Sequence, residues 1–181
     1  MQLFWRQGYT ATSLQQLLDT MSIGRSSLYA AFGDKRGLFV EALTLFSDRT
    51  NATLESVWSE KNPADAIRLF FECTLFVEPE RRMRRGCMMV NSVLELADVD
   101  QGLSELAVTK LDKIENAFES CFARALEEGT FQSTQTPKQL AQFMMTLNQG
   151  MRVAARKNVP KDELLSIVGT TLSLLRNSMP H

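Results

Sequence analysis

Thr12-Ser13-Leu14-Gln15-Gln16-Leu17-Leu18-Asp19-Thr20-Met21-Ser22-Ile23-Gly24-Arg25-Ser26-Ser27-Leu28-Tyr29-Ala30-Ala31-Phe32-Gly33-Asp34-Lys35-Arg36-Gly37-Leu38-Phe39 is the stretch on which the fold reading turns. Leu14, Leu17, Leu18 and Met21 recur at three- and four-residue spacing, the period of an amphipathic helix. Thr12 and Ser13 stand just before them, and Ser13 with Gln16 fits a capping box. The pattern breaks at Ser22-Ile23-Gly24 and resumes from Arg25 to about Ala31, where Leu28 and Phe32 are offered to the same core. Gly33-Asp34 opens a third helix, with Asp34 as its cap. Leu38, Phe39, Ala42, Leu43 and Phe46 mark one face of that helix, which is expected to reach about Trp58.

Two short helices joined by a tight turn that contains Gly24 make a candidate helix-turn-helix. With the apolar positions turned inward, Arg25, Ser26 and Ser27 point out near the start of the second helix. Short polar side chains and one arginine suit a helix that must approach base edges closely in a major groove. Tyr29 and Lys35 would flank it as phosphate contacts, and the helix start at Thr12 and Ser13 offers backbone N–H groups to another phosphate. The same spacing also suits an ordinary antiparallel helix pair with Arg25 as a solvated cap, and periodicity alone does not choose between them.

Working outward, helical spacing continues through the chain, and glycine and proline are sparse, at 9 and 5 of 181 residues. Asn62-Pro63 reads as a cap with proline in the first turn, opening a helix through Ile67, Phe70, Phe71 and Leu75. Gly86 to Ala97 and Gln101 to about Glu128 follow, the second closed by Gly129. Thr136-Pro137 and Pro160 open the last two helices. With a stub at Leu3 to Gln7, about nine helices result, so the fold class is all-α.

Composition narrows the function. Hydrophobic residues make up 44% and charged residues 23% of the chain, which is globular composition. Its longest apolar runs, such as Cys87-Met88-Met89-Val90, are far shorter than a bilayer span, and no secretory pattern opens the chain. A cytoplasmic location and no membrane partner are therefore expected. The one histidine is the terminal His181, which leaves the usual general base and every histidine triad without a candidate. Cys73, Cys87 and Cys121 form no Cys-x-x-Cys spacing, so no metal or cofactor is expected and reduced thiols are the default. The net charge of −1 means that nucleic-acid binding would have to come from a local surface. Residues 1–50 carry five basic against four acidic side chains and the remainder fifteen against seventeen, an asymmetry of the right sign and little weight.

The string Leu3-Phe4-x3-Gly8-Tyr9-x2-Thr12-Ser13-x3-Leu17, followed by Ser22-Ile23-Gly24-Arg25-Ser26-Ser27-Leu28-Tyr29-Ala30-Ala31-Phe32-Gly33-Asp34-Lys35-x2-Leu38-Phe39, resembles the DNA-binding domain of the tetracycline-repressor (TetR) family of bacterial transcriptional regulators. It covers about the first quarter of the chain, while the rest is similar in helical pattern and length alone. The resemblance implies a helix-turn-helix domain over residues 1–47 and a helical ligand-binding and dimerisation domain over residues 48–181. It also implies a homodimer that binds a palindromic double-stranded DNA operator, usually represses, and is released by a small-molecule effector. Carried over by position, Arg25, Ser26 and Ser27 become base or groove contacts and Tyr29 and Lys35 phosphate contacts. Thr12 and Ser13 cap at the backbone, and Gly8 and Tyr9 form the turn and packing residue after the first helix. Ser22 stands where the family's turn usually has glycine. Members normally carry a dozen or so residues before the Leu-Phe pair, whereas Met1 and Gln2 precede it here, so helix 1 is expected to be short and DNA affinity reduced.

Three further features bear on the second domain. Asn91 and Glu95 lie one turn apart in an otherwise apolar stretch and either line a cavity or brace neighbouring helices. With Phe70, Cys73, Cys87, Met88, Phe118 and Phe122 they form the candidate ligand set. Leu140, Met144, Leu147, Leu164, Val168, Leu172 and Leu175 fill more than one face of the last two helices and are the candidate dimer interface. Cys87, after Gly86 and beside Arg84 and Arg85, is either a sensor of electrophiles or oxidants or an inert buried thiol. The basic run Arg81, Arg82, Arg84 and Arg85 reads as a solvated connector or a second nucleic-acid contact. Against the regulator stand a helical enzyme and an interaction or scaffold protein with a decayed DNA domain.

Overall fold

A capping serine, a capping aspartate and two Asx/Thr-Pro starts set the helix boundaries of the computed structural model, which describes residues 1–59, 62–76 and 85–176. Among these the chain is helical: α1 Gln2–Gln7, α2 Leu14–Met21, α3 Arg25–Phe32, α4 Lys35–Ser59, α5 Pro63–Leu75, α6 Met88–Leu96, α7 Gln101–Glu127, α8 Pro137–Arg156 and α9 Lys161–Arg176. The all-α expectation and the helix order hold. Asn62 accepts the Asp65 N–H at 3.1 Å ahead of Pro63, and Thr136 with Gln139 closes a second capping box ahead of Pro137. Gly129 follows α7 at φ +69°, a left-handed residue that ends the helix. Arg81, Arg82 and Arg84 of the basic run lie outside the described residues.

The packing divides into two compact units, one of Met1–Asp48 with Cys87–Leu111 and one of Arg49–Gly86 with Asp112–His181. In the first, Phe4 meets Phe39 edge-on at 5.0 Å, Tyr9 meets Phe39 at 4.9 Å and Trp5 meets Phe46 at 5.0 Å. Leu17, Leu18, Leu28, Leu43, Met88, Met89 and Leu96 complete that core. Three of the apolar positions expected there turn out otherwise: Met21 is 37% exposed and Leu14 and Phe32 are half-buried, because α2 and α3 are each only eight residues long and bury a single narrow stripe.

In the second unit Trp58 meets Phe122 at 5.1 Å and Phe118 at 6.3 Å, and Phe118 meets Phe70 at 5.0 Å. Helices α5, α8 and α9 pack on one another. Leu140, Met144, Leu164, Val168 and Leu172 are all buried there. This corrects the expectation that they face a partner: on each helix they form the stripe turned to the protomer's own core. Leu147 and Leu175 are half-buried. What α8 and α9 leave outside is Phe143, Val153, Ile167 and Leu174, at 44, 54, 39 and 61% exposure.

Candidate nucleic-acid interface

The α2–turn–α3 element is built by its caps. The Ser13 hydroxyl accepts the Gln16 N–H at 3.1 Å, and the Gln16 side chain accepts the Ser13 N–H at 2.9 Å, closing the expected capping box. Thr12 is placed differently from the expectation of a helix-start DNA contact. It is fully buried, with its hydroxyl donating to the Gly8 carbonyl at 2.6 Å, so it braces the turn from inside. Ser22 ends α2 in the left-handed conformation, φ 54° and ψ 41°, and its N–H donates to the carbonyls of Asp19 and Leu18. Gly24, by contrast, sits at φ −76° and ψ 160°, an extended geometry open to any residue, and is the N-cap of α3.

Leu28 anchors α3, buried completely, while Arg25, Ser26, Ser27, Tyr29 and Ala30 are exposed. With Ala31 exposed as well, the outer surface of α3 is one guanidinium, two hydroxyls, a phenol and two methyl groups. Small residues let a backbone come close to base edges, and an arginine can donate two hydrogen bonds to one guanine. No side chain caps α3, so its first N–H groups add donors at the positive end of the helix dipole. After α3, the Asp34 carboxylate accepts the Gly37 N–H at 2.7 Å and starts α4. Glycine is required at 37, since a Cβ there would overlap the Phe32 carbonyl. The Lys35 ammonium lies 4.4 Å from the centre of the Tyr9 ring. Burial lowers the Lys35 pKa against a smaller opposing effect of Glu95, and burial raises that of Tyr9, with Asp100 and Asp34 adding to the rise.

The same unit holds the element from behind. Glu95 of α6 accepts the N–H of Tyr9 at 3.0 Å and of Thr10 at 2.7 Å. At the start of α4, Arg36 pairs with Asp100 at 3.3 Å, and Asp100 also accepts the Leu103 N–H at 3.0 Å as the cap of α7. That backbone bond first, and Arg36 second, hold the Asp100 carboxyl below its ordinary value. The pair is at the surface and contributes orientation more than stability. Neither role was read from the sequence, where Arg36 and Asp100 are 64 residues apart with no motif to join them.

The candidate ligand set is divided between the two units. Phe70, Phe118 and Phe122 join the aromatic cluster around Trp58 in the second unit, and Cys73 is exposed. Cys87, Met88, Asn91 and Glu95 belong to the first unit, with Cys87 and Met88 buried. Glu95 is corrected from ligand contact to brace, because both its oxygens already accept backbone N–H groups. A cavity of about 360 Å³ in the second unit is lined by none of these residues. It lies among Pro63, Ile67, Phe131, Leu172 and Leu175, with Asn62, Thr130 and Gln132 supplying polar atoms. The sequence reading also passed over Asn51, whose side-chain nitrogen and oxygen are buried without a hydrogen-bond partner among the described residues.

Comparison with known proteins agrees with this geometry. The family "Bacterial regulatory proteins, tetR family" matches residues 1–42, and "Tetracyclin repressor-like, C-terminal domain" matches residues 63–162. The HTH-type transcriptional repressor ComR of Escherichia coli (strain K12) is 28% identical over 176 residues, covering 96% of this chain and 84% of its own. The HTH-type transcriptional regulator YezE of Bacillus subtilis (strain 168) is 29% identical over 178 residues, covering 96% and 91%. Among solved structures, a cysteine mutant of the TetR family transcriptional regulator CifR, complexed with a 26-bp double-strand operator DNA, superposes with a TM-score of 0.79. It is 29% identical and covers 94% of this chain and 90% of its own. Reduced E. coli NemR, at 21% identity and a TM-score of 0.83, shares the fold.

Proposed function

The chain belongs to the TetR family of bacterial transcriptional regulators, and from that premise we propose that it is a homodimeric repressor whose α3 reads a palindromic operator. Residues 1–47 are the reading domain, and residues 48–181 are the regulatory and dimerisation domain that takes a small effector. The protein acts in the cytoplasm as a switch rather than as a catalyst.

One observation carries this reading: α3 buries Leu28 completely while turning Arg25, Ser26, Ser27 and Tyr29 to solvent. A helix that buries one leucine fully, shows small and polar side chains outward and has no side-chain N-cap is a poor core element and a good groove element. Two such helices in a dimer, roughly 34 Å apart or a near multiple, would meet successive major grooves on one face of B-DNA. Ser13 and the first N–H groups of α2 stand ready for a backbone phosphate, and Lys35 with Tyr29 flanks the reading helix.

Selection from a random duplex library tests it. The unmodified chain should enrich a palindrome with half-sites about one helical turn apart. Arg25→Ala should lose about 1–3 kcal/mol on the selected site and relax preference at one or two base pairs. Lys35→Met should weaken all sequences alike and reduce the slope of affinity against salt by about one. Failure to enrich a palindrome, or an Arg25→Ala protein with unchanged affinity and preference, would overturn the assignment.

A further inference from the structure

Asn51 lies on α4 in the second compact unit, 5% exposed, and among the described residues neither its side-chain nitrogen nor its side-chain oxygen has a hydrogen-bond partner. A buried carboxamide left unpaired is disfavoured, and an apolar side chain of similar size would serve a purely structural position better. One turn back on the same face of α4, the Ser47 hydroxyl is likewise buried and without a partner among the described residues. Leu54 and Trp58 follow it at helical spacing on the same face of α4, both buried. The Trp58 ring meets Phe118 and Phe122, and Phe118 meets Phe70. In the same unit, burial pushes the α7 thiol of Cys121 up to about 11, as expected of a dry interior.

We propose that Asn51 is the polar anchor of a ligand site for small neutral molecules with an aromatic body and one group that both donates and accepts hydrogen bonds. A carboxamide pairs with a second carboxamide through two antiparallel N–H···O bonds, which would satisfy both orphaned atoms at once. The aromatic body would lie toward Trp58, two helical turns along α4. A neutral amide has no charge to bury here, whereas a carboxylate would need a cationic partner. The site deepens the regulator reading by naming the chemistry that the effector presents, and the binding test below is made without DNA so that the two readings fail separately.

The probe is benzamide, and the reporter is Trp58 emission in full-length Trp5→Phe protein, which leaves one tryptophan. Benzamide should change that emission saturably, and toluene and benzoate should each bind about tenfold or more weakly, the factor expected for one hydrogen-bonding group or one buried charge. Asn51→Leu should abolish the preference for benzamide over toluene while raising Tm by roughly 2–6 °C, because the unpaired amide is gone. Equal binding of benzamide and toluene, or no saturable benzamide binding, overturns the proposal without any variant. An Asn51→Leu protein that keeps the preference overturns it as well. So does one with a lowered Tm, which would make the amide a structural group satisfied by an ordered water.

Discussion

Gly8 lacks a side chain in the place where the carboxylate of Glu95 lies, and a Cβ at residue 8 would overlap that carboxylate. The two residues are matched twice over. Gly8 has φ 83° and ψ 178°, a region open essentially to glycine alone, and this turns the next two N–H groups toward Glu95. Gly8→Ala should therefore cost about 1–3 kcal/mol from backbone strain before the carboxylate is displaced. Glu95→Ala should cost about 1–3 kcal/mol, chiefly for the part-buried Tyr9 N–H left without its acceptor, and Glu95→Gln less. The double variant should cost less than the sum, since the overlap is gone once the carboxylate is. Thermal denaturation gives the energies, and amide exchange at Tyr9 and Thr10 localises them. Additive losses would mean that the two residues act independently.

Ser22 holds the left-handed position that ends α2, where a side chain strains the backbone. Ser22→Gly should raise stability by about 0.5–1 kcal/mol, the relief of strain exceeding the extra freedom of glycine in the unfolded chain. Ser22→Val should lower it by more, because branching at Cβ makes that region costlier still. Chemical denaturation of the three proteins orders them, and a Ser22→Gly protein less stable than the unmodified chain would refute the strain.

The caps were legible in the sequence because a cap is a local event. Ser13 with Gln16 was read as a box, Asp34 and Asn62 as caps and Thr136 as a helix opening, and in the structure each acts across three residues, on Gln16, Gly37, Asp65 and Gln139. The outward face of α3 was legible for the same reason, since Leu28 and Phe32 are its inward apolar positions and Arg25, Ser26 and Ser27 fall opposite them. What stayed hidden is mostly long-range. Glu95 braces a turn 86 residues away from it, so the residue that looked like a ligand contact could not be told from a brace. Thr12 looked exposed at a helix start, yet the carbonyl of Gly8, four residues back, draws its hydroxyl inward. On α8 and α9 apolar residues occupy more than one stripe, and spacing alone does not say which stripe meets the protomer's own core.

That choice changes the mutations that separate a dimer. Val168 and Leu172 are buried in the protomer, so placing glutamate there should unfold the second unit rather than yield monomers. Ile167 and Leu174 lie on the outer stripe of α9, at 39 and 61% exposure. The paired change Ile167→Glu and Leu174→Glu should give a folded monomer in sedimentation at micromolar concentration, with far-UV circular dichroism unchanged. Operator affinity should fall with it, because the two halves no longer bind as one. A dimer that survives this pair would place the interface elsewhere than on α9.

The three cysteines should separate by reactivity, and the separation bears on Cys87 as a sensor. Cys73 is exposed, whereas Cys87 and Cys121 are buried. Thiol reagents need the thiolate, and burial raises the Cys121 thiol from 9.0 to about 11, with Arg124 opposing and Glu55 adding. At pH 8 only about one Cys121 in a thousand would be ionised, so it should resist labelling until the protein unfolds. The sign for stability follows. The unfolded thiol ionises first, so Cys121 contributes stability below pH 9.0 that is lost as pH climbs to about 11. Cys121→Val should flatten that alkaline loss. In the native protein a chromogenic disulfide at pH 8 should titrate one thiol quickly, and Cys73→Ser should remove that phase. Cys87 is 3% exposed at the N-cap of α6 and should react only on unfolding, so Cys87→Ser should leave operator release by alkylating agents unchanged. A fast phase of two thiols that falls to one in Cys87→Ser would instead make Cys87 accessible and restore it as a sensor.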